Sequence, residues 1–259
     1  MAAKITYITS RDNALLARLR KLSRHPGGYR KDGQVLLEGE HLCEAWARRA
    51  AVPAQHALVT EAAWESGRFA ALANSAQAIA IVAETAMADV GTLGTPAPLA
   101  FVVDLPEPPA IEPGMASVVL DRIQDAGNVG SILRSASAFG FAQVIAISGT
   151  ASLWSPKVLR AGMGSHVGLR LIEGADATAL AALAVPWLAT SSHASHALHE
   201  LAMPWPCAWI FGNEGEGVAS SLLSGCHAQV RIPQPGGEES LNVAAAAAVC
   251  LYESMRRAL

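Results

Sequence analysis

The sequence predicts an α/β protein: a mostly parallel sheet with helices on both faces, preceded by a small N-terminal α/β domain. Three observations lead there. Beyond residue 115, short apolar runs bounded by turn residues alternate with helix-favouring segments, the rhythm of strand–helix–strand units. The N-terminal part repeats that rhythm on a smaller scale, with Ala57–Thr60 and Ala78–Val82 set between alanine-rich stretches. Between them lies LPEPPAIEPG, residues 105–114, the richest proline stretch in the chain. Chain of that kind stays extended and marks domain boundaries. The expected division is residues 1–104, a linker at 105–114, and residues 115–259.

In order, Ile5–Thr9 reads as a strand, and Ser10 or Asp12 could cap a helix reaching about Leu22. That helix spaces Leu15, Leu16, Leu19 and Leu22 for a core face and leaves Arg11, Arg18, Arg20, Lys21 and Arg24 on its other faces. The stretch His25–Tyr29, with Pro26, Gly27 and Gly28, breaks it. Val35–Leu37 is a strand followed by a helix to about Arg49, and Leu99–Val103 is another strand. The later strands are Ser117–Leu120, Val144–Ile147, Trp187–Thr190, Ala208–Phe211 and Gln229–Ile232. A helix over Asn128–Phe139 ends at Gly140, which can take positive φ. Ser155-Pro156 pairs a cap with a first-turn proline. Finally, IPQPGGEESLNVAAAAAVCLYE, from Ile232 to Glu253, passes through Pro233, Pro235, Gly236 and Gly237 into the most helix-favouring run of the chain. Ser240 stands where that helix would begin, its hydroxyl able to cap backbone N–H groups or face a ligand. Packing gives no reason for a polar Ser-Leu-Asn at the mouth of an apolar helix.

Apolar content of 51% is ample for a core, and the net charge is only −3. The charge is unevenly spread. Residues 1–50 hold ten Lys/Arg against five acids, so one end is basic while the remainder is acidic, an asymmetry that fits a polyanionic partner. The four cysteines (Cys43, Cys207, Cys226, Cys250) form no CxxC pair and read as reduced thiols in a cytoplasmic protein. No secretory signal is evident. The run Leu241–Leu251 is about half a membrane span, so no membrane partner is expected. His193, His196 and His199 would share one face of a helix, but further ligands are lacking and no metal is expected.

Three clusters follow strands, where open α/β sheets bind ligands. The first is DRIQDAGNVGSILR, residues 121–134: Asn128 could cap the helix, Gly130 admits a close neighbour, and Arg134 lies under two turns deeper. Taken alone, Arg134 could simply pair with Asp121 or Asp125. The second is FGNEGEGV, residues 211–218, rich in exposed backbone but without the dinucleotide spacing, and its acids would repel a pyrophosphate. The third is the Ile232–Glu253 stretch.

Together, NxGxxxR with the following SASAFG, then FGNEGEGV, then IPQPGGEESLNVAAAAAVCLYE, strongly resemble the three ordered motifs of the SpoU (TrmH) family of RNA ribose 2′-O-methyltransferases, over about residues 117–256. Less specifically, ITSRDNALLARLRKL and VLLEGEHL resemble the small RNA-binding domain of members that modify rRNA. The resemblance implies a SPOUT-type α/β domain with a C-terminal trefoil knot, a small L30e-like N-terminal domain, a homodimer, and S-adenosyl-L-methionine as methyl donor. It matches Asn128, Arg134, Glu214, Ser240 and Asn242 to the catalytic positions, and Phe211, Gly212, Asn213, Gly217, Ile232 and Leu241 to the cofactor-binding ones. The chain departs mildly at Gln234-Pro235 and in replacing the serine usual in NVS with alanine.

Methyl transfer from a sulfonium to a ribose hydroxyl is an in-line displacement that depends on alignment. A neutral Arg134 acting as base would cost about 7 kcal/mol at pH 7 from a reference pKa near 12.5. A charged Arg134 that holds a phosphate and stabilises developing alkoxide, with Asn128 and Glu214 setting its geometry, is the reading adopted here. RNA, with rRNA favoured, would be bound by Arg11, Arg18, Arg20, Lys21, Arg24, Arg30 and Lys31. The alternatives are a non-catalytic RNA-binding or ribosome-assembly protein, a tRNA ribose methyltransferase, or a base methyltransferase.

Overall fold

A computed structural model describes residues 3–92, 95–192, 194–236 and 240–259. Gly237 of the expected reversal and His193 of the histidine series lie outside them. The chain divides into two compact units, Met1–Glu107 with Trp154–Val167, and Pro108–Leu153 with Gly168–Leu259. The segment Trp154–Val167, which the sequence reading placed in the second domain, groups with the first unit.

The first unit contains β1 (Lys4–Ile8), α1 (Ala14–Arg24), α2 (Gly28–Asp32), β2 (Gln34–Glu38), α3 (Glu40–Arg49), β3 (His56–Thr60), α4 (Glu61–Glu65), α5 (Ala70–Ala73), β4 (Ala78–Val82), α6 (Glu84–Val90) and β5 (Leu99–Asp104). Its sheet runs β1-β4-β3-β5-β2, parallel from β1 to β3 and antiparallel on both sides of β5. Helix α1 is capped by Asn13, whose side chain accepts from the Leu15 N–H at 2.9 Å, and not by Ser10 or Asp12. The side-chain oxygen of Asn13 is the one that stands two residues before an orphan amide. The stretch expected to break α1, His25–Tyr29, runs into α2, which is closed by Gly33 at φ +63°.

The second unit continues with β6 (Ser117–Asp121), α7 (Ala126–Ala138) and β7 (Gln143–Ile147). After α8 (Pro156–Gly162), which groups with the first unit, come β8 (Arg170–Ala175), a 3₁₀ turn at Ala177–Ala182, β9 (Trp187–Thr190), β10 (His196–Ala197), β11 (Ala208–Gly212), α9 (Ser220–Leu223), β12 (Ala228–Arg231) and α10 (Val243–Ala258). The order is β10-β12-β9-β11-β6-β7-β8, and every pair is parallel. Strand β8 escaped the sequence reading because Arg170, Glu173 and Gly174 interrupt its apolar pattern. His196 lies in β10 rather than on a helix, so the histidine spacing does not create a shared face.

Side chains of a strand alternate between faces, and both faces here are buried. Val119, Ile145 and Ile210 pack with Leu180 of the 3₁₀ turn, Leu183 just after it and Leu222 of α9. Their neighbours Val118, Leu120, Val144, Trp209 and Phe211 are equally buried on the face covered by α7 and α10. There the Trp209 indole donates to Ser254 Oγ of α10 at 2.8 Å, and Ser254 Oγ donates to the Cys250 carbonyl at 2.9 Å. This bond anchors α10 and with it the third motif. Ser254→Ala would strand a buried indole N–H, and urea denaturation should show a loss of about 1–3 kcal/mol.

Candidate active site

The parallel sheet sends the carboxyl ends of β6, β11 and β12 to one end of the second unit, since β12, β9, β11 and β6 are consecutive neighbours. Each motif leaves one of those ends. The first starts with a sharp turn after Asp121 and enters α7, whose cap is Asp125: its carboxylate accepts from the Asn128 N–H at 2.7 Å. Asn128 is therefore not the cap. It sits inside the first turn with its carboxamide free to reach outward.

That carboxamide ties the three motifs together. Asn128 Nδ2 donates to Glu214 Oε1 at 3.0 Å, and Asn128 Oδ1 accepts from Asn242 Nδ2 at 3.0 Å. Glu214 also accepts from the backbone N–H groups of Gln124 and Asp125, each at 3.4 Å. Asn242 caps α10, its Oδ1 accepting from Ala244 N at 2.9 Å and Ala245 N at 3.3 Å. Ser240, where a cap was expected, is exposed two residues earlier. Burial alone pushes the Glu214 carboxyl up, but the Asn128 amide and the backbone donors outweigh it and hold it below the usual carboxylate range. The chain Glu214–Asn128–Asn242 thus has a charged acceptor at one end and a helix terminus at the other.

The second motif is a turn closed on itself. Asn213 N donates to Gly217 O at 3.1 Å and Gly217 N to Asn213 O at 2.9 Å. Asn213 Oδ1 accepts from Gly215 N and Glu216 N, and its Nδ2 donates to the Arg122 carbonyl at 2.9 Å. The Asn213 side chain therefore shapes the loop. Gly217 takes φ +70°, and a Cβ on Gly212 would stand 2.1 Å from the Gly217 carbonyl carbon. Phe211 is fully buried, so only its backbone can meet a ligand, while Ile232 is half-buried and Leu241 is 41% exposed beside the cap.

Arg134 stands apart. Six residues at about 100° each leave it about 120° around α7 from Asn128. It is exposed, and among the described residues it makes no ion pair or hydrogen bond with Asn128 or Glu214, which bond each other. Nor does it bridge to Asp121 or Asp125. Asp121, 2% exposed, is taken by Arg122 and the Ala219 N–H, and Asp125 by its capping role. The sequence gives Asp121 only as a possible partner of Arg134 and assigns Arg122 and Glu216 no role; their signal is the Asp-Arg dipeptide at a strand end and a second acid in the glycine loop.

In the first unit, Arg18, Lys21 and Arg24 are exposed on α1, whose opposite face buries Leu16, Leu19 and Leu22; Arg20 is half-buried between them. Arg11 pairs with Asp89 at 3.4 Å, Arg30 lies 5.0 Å over the Tyr29 ring, and Lys31 is exposed in α2. Among the described residues no three His, Cys, Asp or Glu side chains gather as metal ligands, and no helix is long and apolar enough to cross a membrane.

Residues 115–252 match the SpoU rRNA Methylase family. The 23S rRNA (guanosine(2553)-2′-O)-methyltransferase RlmP of Bacillus subtilis is 30% identical over 225 residues, 86% of this chain and 88% of that protein. A crystal structure of an RNA 2′-O ribose methyltransferase superposes with a TM-score of 0.81 at 30% identity, covering 98% of this chain and 100% of the other. The AdoMet-bound rRNA methyltransferase of Sinorhizobium meliloti shares the fold, with a TM-score of 0.85 at 24% identity over 98% and 99% of the two chains.

Because a Cβ at position 212 would overlap backbone atoms, relief requires moving the 213–217 loop. Gly212→Ala should therefore lower stability by about 2 kcal/mol or more and detach Glu214 from Asn128. Chemical denaturation and the Asn128 side-chain amide signal in NMR read the two effects separately.

Proposed function

The chain belongs to the SpoU rRNA methylase family, and on that premise we propose that it transfers a methyl group from S-adenosyl-L-methionine to a ribose 2′-hydroxyl of rRNA. The observation carrying this reading is the hydrogen-bonded chain Glu214–Asn128–Asn242, which joins one polar side chain from each motif at the carboxyl end of the sheet. The donor brings an electrophilic methyl on a sulfonium, so neither metal nor covalent enzyme intermediate is needed. The donor would lie against the loop formed by Phe211, Gly212, Asn213 and Gly217, with Ile232 and Leu241 as apolar flanks. Ser240 and Asn242 would orient the ribose or the methyl donor. The exposed guanidinium of Arg134 suits an RNA phosphate lying along α7, from which it can stabilise alkoxide charge as the hydroxyl proton passes to water, the oxygen takes the methyl and the S–CH3 bond breaks to leave a neutral thioether.

We further propose that the chain works in the cytoplasm as a homodimer, that the second unit carries a trefoil knot, and that the first unit is an L30e-like domain for RNA. The stripe Arg18, Lys21 and Arg24 is placed to neutralise phosphates, and Arg30 on Tyr29 offers a cation braced for the same purpose. Exposed Val249 and Tyr252 give α10 an apolar outer stripe suited to a second copy.

Three outcomes follow. Mapping 2′-O-methylation across rRNA from cells with and without the protein should reveal one ribose whose methylation disappears; an unchanged map contradicts the reading. Arg134→Lys keeps the charge but loses the planar fork, and kcat should fall about tenfold or more, equal to about 1.4 kcal/mol. Replacing Arg18, Lys21 and Arg24 together by Gln should weaken RNA binding and reduce the slope of log affinity against log salt by about 2–3.

A further inference from the structure

We infer that Arg122 is a positioning residue for this reaction: it locks the glycine loop so that Glu214 meets Asn128. The inference rests on the methyltransferase reading above and adds a residue to it. Arg122 follows β6 and is one of two non-glycine residues with positive φ among those described, at +57°. A side chain is held in that region only where its surroundings over-determine it. Here they do. The turn folds the guanidinium back onto the preceding residue, so that Nε and Nη2 meet the two oxygens of the buried Asp121 carboxylate at 2.9 and 3.3 Å. The Arg122 N–H donates to Thr150 Oγ1 at 3.1 Å, which itself donates to the Leu120 carbonyl at 3.0 Å. Gly149, at φ +97°, leaves room for the stem: a Cβ there would stand 3.3 Å from Arg122 Cγ.

The remaining contacts all go to the second motif. Arg122 O accepts from Asn213 Nδ2 at 2.9 Å, and Nη1 pairs with Glu216 Oε2. The second Asp121 oxygen also accepts from Ala219 N at 2.7 Å, just beyond the loop. The loop is therefore pinned at positions 213, 216 and 219, all by Arg122 or by the carboxylate it neutralises. Glu214 lies between the first two pins. A buried carboxylate needs a cation, which would be reason enough for an arginine beside Asp121. It would not require the third guanidinium nitrogen, Nη1, to reach across to Glu216, whose side chain is 70% exposed. That second reach is what a purely structural role leaves unexplained.

Glu216→Gln and Arg122→Lys separate the two roles. Glu216→Gln removes only the exposed half of the clamp, so the protein should melt within about 2 °C of wild type. Its kcat for rRNA methylation with S-adenosylmethionine should nonetheless fall about fivefold, with KM for the donor within about twofold, because Glu214 is mis-set rather than lost. Arg122→Lys, which cannot hold both acids at once, should fall at least as far, and the double variant should be no slower than Arg122→Lys alone. Wild-type turnover in both single variants, or effects that multiply in the double, overturns the proposal. The side-chain amide resonances of Asn128 and Asn213 give a readout independent of catalysis: both should move in Glu216→Gln, and fixed resonances overturn the proposal as well. A wild-type protein that transfers no methyl group would refute the methyltransferase reading, while those resonances would still decide the role of Arg122.

Discussion

The carboxamide of Asn128 is the point on which the rest of the site depends. It is neutral, its Nδ2 donates in one direction while its Oδ1 accepts in the other, and both partners come from distant parts of the chain. An aspartate there would repel Glu214, and a leucine would leave Asn242 without its acceptor. Because Glu214 is also held by two backbone N–H groups, and Asn242 is spent on capping α10, each end of the chain is braced by a helix terminus or a strand-end turn. A network satisfied at every member resists displacement better than any one of its bonds would.

What brings those side chains within reach is the topology of the sheet. Parallel strands deliver all of their carboxyl ends to one side, and the buried faces of β6 and β11 leave no slack in their position. On one face the Trp209–Ser254 bond anchors α10, and its amino end presents Asn242. At the strand end, Gly212 lets the returning backbone of Gly217 pass where any side chain would collide. Packing in the core and polarity at the rim are thus two consequences of the same few residues.

Much of this was legible in the sequence, for reasons that differ by region. The strands Ala78–Val82 and Trp187–Thr190 emerge with the bounds expected, because continuous apolar runs between turn residues carry a strong signal. Strand β8 was missed because its polar residues break that signal, and α2 because glycine and proline before it read as a loop. At the candidate site, the sequence singles out Asn128, Glu214 and Asn242 but does not show that they bond to one another. Which side chain caps a helix turned on one- and two-residue offsets, and Asp125, Asn13 and Asn242 proved to hold positions expected of Asn128, Asp12 and Ser240. Arg134, six residues beyond Asn128, is turned away from it on α7, a consequence of helical pitch that residue spacing alone states plainly.

The central claim is that the three motifs act as one unit. Calorimetric titration of S-adenosylmethionine into the wild type, Asn128→Ala, Asn242→Ala and the double variant tests it most directly. The account predicts one donor bound per chain, an affinity about tenfold or more weaker in each single variant, and a double variant no weaker than the poorer single one. No binding by the wild type, or losses that simply add in the double variant, would contradict it.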